Sequence, residues 1–85
     1  MMEYVLTTTV NNKCENGIQE VSIYYSLEKA QEEMNKKVLD ILQVYSDWGM
    51  YIKVEKSPKS ITITEEGNNG NNWTQFEINE CETIF

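Results

Sequence analysis

Residues 26–49 read Ser26-Leu-Glu-Lys-Ala-Gln-Glu-Glu-Met-Asn-Lys-Lys-Val-Leu-Asp-Ile-Leu-Gln-Val-Tyr-Ser-Asp-Trp-Gly49, and this stretch decides the fold. Leu27, Ala30, Met34, Val38, Ile41, Leu42, Tyr45 and Trp48 recur at steps of three and four, so a helix over about 27–48 gathers them into one apolar stripe. Ser26 is placed to accept a hydrogen bond from the first turn, Glu28 complements the helix N-terminus, and Gly49 suits a left-handed stop. Glu28, Glu32, Glu33, Lys36, Lys37, Asp40 and Gln43 fill the opposite face. Glu32–Lys36 and Glu33–Lys37 are spaced as i,i+4 pairs, each adding about 0.3 kcal/mol. The helix would run roughly 33 Å, long for a small domain, and so must lie diagonally across a sheet.

On both sides of the helix the period falls to two. Residues 3–10 (EYVLTTTV) are rich in β-branched and aromatic types, and 18–25 place Val21, Ile23 and Tyr25 on one face with Ser22 and Tyr24 on the other. Asn11, Asn12, Asn16 and Gly17 between them supply turn chemistry. After Gly49, Met50, Ile52 and Val54 alternate with Tyr51, Lys53 and Glu55; a turn at Ser57-Pro58-Lys59 leads to Ile61 and Ile63. The polar loop EEGNNGNN (65–72) precedes a last strand, 73–82, with Phe76 and Ile78 on one side. The order ββαβββ predicts an α+β fold, a two-layer sandwich with an antiparallel sheet of about five strands and the helix on one face. Leu6, Val21, Ile23, Met34, Val38, Ile41, Ile52, Val54, Ile61, Ile63, Phe76 and Ile78 are the expected core. The other face would carry threonines, Tyr24, Tyr51, Lys53, Glu77 and Trp73. Eighty-five residues make a single domain, 1–85.

Composition narrows the chemistry. The chain has no histidine, and its seven cations are all lysine. An imidazole base, a Ser-His-Asp or Cys-His pair, a Cys₂His₂ zinc site and a guanidinium clamp are therefore ruled out. Net charge is −7 and the isoelectric point about 4.4, which argues against nucleic acid or an anionic membrane as a direct partner. Nine asparagines beside the lysines also fit the amino-acid usage of an AT-rich genome. Cys14 and Cys81 are too far apart in sequence for a CxxC motif and read as two reduced thiols in the cytoplasm. The opening MMEYVLTTTV lacks the basic start and apolar stretch of a signal peptide, and no apolar run is long enough to span a membrane.

Three features are candidate sites. Residues 65–85 hold Glu65, Glu66, Glu77, Glu80 and Glu82 and no lysine, either a docking surface for a basic partner or a solvated face that guards a sheet edge. Tyr24, Tyr51 and Trp73 share the parity opposite the core; they form either an exposed hot-spot cluster or cross-strand aromatic pairs. The loop 65–72 is rich in oxygen ligands, but it lacks the EF-hand spacing and follows a strand, so it reads as a hairpin loop with no metal. No cofactor site is expected.

The ββαβββ order, the start Ser26-Leu27-Glu28-Lys29-Ala30 and an acidic last strand containing Trp73 resemble small accessory proteins of bacterial prophages and mobile elements, anti-CRISPR inhibitors among them. The resemblance implies action by binding rather than catalysis, and it carries over no functional residue. The expected function is a small acidic, non-enzymatic protein-binding module that occupies a basic surface of a nucleic-acid-handling partner. Glu65, Glu66, Glu77, Glu80 and Glu82 would steer association, and Tyr51 and Trp73 would anchor it. The alternative is a self-associating domain, a homodimer through the sheet face or edge.

Overall fold

The computed structural model describes residues 2–11, 16–66 and 72–82. The chain forms β1 (Met2–Asn11), β2 (Asn16–Tyr24), α1 (Leu27–Asp47), β3 (Ile52–Ser57), β4 (Ser60–Glu65) and β5 (Trp73–Glu82). The strands make one antiparallel sheet in the order β2-β1-β5-β4-β3. With α1 on one side it is the α+β two-layer sandwich that the periodicity predicts.

The helix is bounded by its caps. The Ser26 side chain accepts from the Lys29 backbone N–H at 3.3 Å. At the far end the Gly49 N–H donates to the Ser46 carbonyl and the Met50 N–H to the Tyr45 carbonyl, a Schellman motif. Gly49 takes φ +68°, which side chains with a Cβ adopt only at a cost. Between the caps Ala30, Met34 and Val38 are buried, with Leu27, Ile41, Leu42 and Tyr45 packed along their flanks. They close against Leu6 of β1, Ile61 and Ile63 of β4, and Phe76 and Ile78 of β5. Burying side chains of this size contributes about 1.5–3 kcal/mol each.

Register explains two departures from the predicted core. Leu6 pairs with Ser22, Thr8 with Glu20 and Tyr4 with Tyr24, so these β2 residues share the helix side with Leu6. Tyr24 accordingly packs against the core rather than on the outer face. Val21 and Ile23 sit opposite Thr7 and Val5 on the uncovered face and are 57% and 55% exposed, not core. Val54 pairs with the buried Ile63, yet it is exposed, because α1 lies mainly over β2, β1 and β5 and leaves β3 at the margin. Trp48 also leaves the stripe. It caps the helix, is exposed, and meets the Tyr45 ring in a T-shaped arrangement, with centroids 6.4 Å apart.

Candidate docking surface

The five glutamates of the C-terminal segment are not brought together. Glu65 is the last residue of β4 rather than part of a loop, and it points under α1, where it is buried. Its carboxylate accepts from the Asn72 side-chain amide at 2.9 Å, and the Tyr45 hydroxyl is bonded to it. Burial first, and then the neighbouring Glu65, push the Tyr45 hydroxyl above its ordinary range. With Thr74 also in reach of Tyr45, this is an internal polar cluster that closes the α1–β4–β5 corner. Glu65 is therefore withdrawn from any partner.

Glu80 and Glu82 follow Ile78 at steps of two and so lie on the helix side, where Glu80 is ion-paired with Lys59. Glu77 faces the other way, opposite Thr7 and Ser60. Glu66 sits beyond β4, exposed, its N–H donating to the Tyr51 carbonyl at 2.9 Å. Tyr51 is 81% exposed. Trp73 is half-buried on the uncovered face, opposite Asn11 and Thr64. Tyr51, Glu66 and Trp73 thus gather at one end of the sheet, whereas Glu77, Glu80 and Glu82 divide between two faces towards the other. Cys14 lies outside the described residues; Cys81 is exposed on β5.

The uncovered face carries a surface that parity reasoning assigned to the core. Between Thr8 and Thr9 the β1–β2 register skips Gln19, a bulge in β2 that turns Ile18 to the same side as Val21 and Ile23. Ile18 is 64% exposed, and Val5 of β1 lies beside Ile23. The result is an aliphatic strip along an outer strand, flanked by Thr7 and Thr9. The signal for it in the sequence is Lys37. This lysine adjoins Val38 at the helix–sheet boundary and needs an acid on the helix side of β2. Glu20 supplies it, on the side of β2 that pairing with β1 also gives to Ser22 and Tyr24. The bonded Glu20 raises the Lys37 ammonium above its usual value, with burial opposing.

Two open hollows flank the β3–β4 turn, about 250 Å³ by Glu55, Ser60 and Thr62 and about 240 Å³ by Gln31, Met34 and Pro58. Both fall below the usual size of a small-molecule pocket. Among the described residues no three acidic or cysteine side chains converge where a metal ion could sit. No described helix is long and apolar enough to cross a membrane. No family model, curated protein or solved structure matches the chain significantly.

Proposed function

We propose that the chain is a non-enzymatic protein-binding module, acting in the cytoplasm, that receives its partner on the β1–β2 half of the uncovered sheet face and along the outer edge of β2. The observation that supports this reading is the strip Ile18, Val21 and Ile23, each more than half exposed and all on one face of β2. Contiguous apolar surface of this kind costs solubility and is typical of contact sites. The test is to immobilise the chain and compare proteins retained at low and high salt, with wild type beside the double variant Val21→Lys, Ile23→Lys. Apolar docking predicts stoichiometric retention at both salts and loss in the variant; retention indifferent to the variant overturns the reading.

A second reading is an acidic inhibitor of a basic, nucleic-acid-handling protein, of the bacterial prophage kind that the resemblance implies. The net charge of −7 favours it, with Glu66, Glu77, Glu80 and Glu82 as its exposed carboxylates, Glu80 being ion-paired with Lys59. The same experiment separates the two, because steering by carboxylates is screened and retention would then vanish at high salt.

A further inference from the structure

We infer that the partner of the uncovered face is an amphipathic helix, its apolar side seated on Ile18, Val21 and Ile23 and its flank carrying lysine or arginine. The inference rests on the docking reading above and narrows it from the edge of β2 to the face. The edge itself is guarded against a further strand. Gln19 bulges from the ladder, and Glu20 is turned to the helix side and held by Lys37. A partner must therefore meet side chains rather than backbone, and what it meets is aliphatic and stiff. Ile18, Val21 and Ile23, with Val5 beside Ile23, are all β-branched, so little rotamer freedom is lost when they are covered. From Ile18 to Ile23 the strip spans about 16 Å. That length matches about three turns of an α-helix, which sets apolar residues along one side at steps of three and four. The sheet already takes such a helix, α1, on its other face, and a second one would cover both faces.

Charge selects the flank. Across the uncovered face Ile18 is in line with Thr9 and Gln75, Val21 with Thr7 and Glu77, and Ile23 with Val5 and Asn79. Glu77 is exposed and lies two strands from Val21, about 10 Å away. A helix lying on the strip is about 10–12 Å across, so a long side chain on its flank falls over Glu77. Glu3, two residues before Val5 and on the same face, closes the Ile23 end. Neither carboxylate is ion-paired among the described residues. The only described lysine on this face is Lys53, on β3 at the far edge and paired with Glu55 at 3.3 Å. The strip is thus rimmed by unanswered negative charge. An acidic flank would be repelled there, a second copy at −7 meets the same repulsion, and a lysine or arginine flank is attracted.

The experiment titrates three synthetic peptides of about 16 residues into the isotope-labelled full chain, each with the same leucine stripe and with lysine, glutamine or glutamate along its flanks. The expected result is that the lysine peptide binds about tenfold more tightly than the glutamate peptide and moves the amide signals of residues 5–9 and 18–23. Val21→Thr with Ile23→Thr, at exposed positions that leave the fold intact, should weaken it about tenfold. Glu77→Gln should weaken it by up to about fivefold at low salt and by less at high salt. Asp40→Asn removes the same charge from the solvent side of α1 and should leave binding as it is. Three peptides bound alike through the strip would overturn the basic flank and leave the docking reading standing. Binding that ignores the threonine variants would overturn both. A loss with Asp40→Asn equal to that with Glu77→Gln would show attraction by net charge alone and overturn the inference, as would a chain that binds none of the three. Strip signals that move with the concentration of the chain itself would put a second copy on this face and overturn it too.

Discussion

The Tyr45 hydroxyl of α1 is hydrogen-bonded to the Glu65 carboxylate at the end of β4, inside the protein rather than on its surface. Glu65 also holds Asn72, whose carbonyl accepts from the Glu65 N–H at 3.0 Å. The glutamate therefore ties the helix to the point where the chain re-enters β5. Replacing Glu65 with Ala leaves Tyr45 and Asn72 without their acceptor and should cost about 1–3 kcal/mol, whereas Tyr45→Phe should cost about 0.5–1.5 kcal/mol. Urea denaturation of the two single variants and the double variant would show coupling, with the double costing less than the sum. Additive losses would mean that the two side chains act independently.

Burial of Tyr45, with Glu65 beside it, sets an alkaline limit. Tyr45 is raised in the folded chain relative to the unfolded one, so folding favours its neutral form. Its contribution is fully present below the unfolded value of about 10, and it is lost as pH rises from there through the folded value. Wild type should lose thermal stability more steeply than Tyr45→Phe above pH ~10. The check is the difference in Tm between the two proteins across that window, since the other tyrosines and the lysines contribute equally to both. Parallel curves would show that Tyr45 does not carry the effect.

Much of this architecture is legible in the residues, and the exceptions have physical causes. Ser26, the three-and-four spacing and Gly49 mark the helix because capping and periodicity are local properties of the chain. The sides of β2 are not legible from alternation. Val21, Ile23 and Tyr25 outweigh Glu20, Ser22 and Tyr24 in hydrophobicity, yet pairing with β1 sets the register and brings Tyr24 against the core. Glu65 misleads for a related reason, since a glutamate beside Glu66 and Gly67 resembles loop sequence until Tyr45 is brought over it. The acidic run of 65–85 is continuous in sequence and divided in space, because alternation along β5 sends Glu77 one way and Glu80 and Glu82 the other.

Lys37 and Glu20 supply the tie between α1 and the outer strand, and both remain partly exposed. Lys37→Ala should therefore cost only about 0.2–1 kcal/mol, and less as salt rises. Urea midpoints for wild type and variant at low and high ionic strength would test this. A loss that did not shrink with salt would show that the aliphatic stem of Lys37 matters more than its charge.

Gly49 isolates a backbone effect. A Cβ built at this position meets nothing within 4 Å, so Gly49→Ala introduces no clash. What it introduces is a side chain at φ +68°, which costs about 1–2 kcal/mol for residues with a Cβ. Thermal melts should show that loss, and Gly49→Asn should recover part of it because asparagine tolerates the left-handed region. An alanine variant as stable as the wild type would mean that the Schellman turn had reorganised.

The orientation of β2 makes the sharpest quantitative distinction in the molecule. If Val21 and Ile23 were in the core, exchanging either for threonine would bury an uncompensated hydroxyl and cost several kcal/mol. At their observed exposure each exchange should stay within about 0.5 kcal/mol of wild type, in dilute solution where self-association does not contribute. Phe76→Ala provides the opposite extreme, for Phe76 is 1% exposed at the centre of the core. Its loss should cost about 3–5 kcal/mol, enough to unfold a marginal domain of this size. Denaturation midpoints for Val21→Thr, Ile23→Thr and Phe76→Ala under one set of conditions therefore read the register directly. Large losses at Val21 and Ile23 would put those side chains back under the helix and remove the docking strip with them.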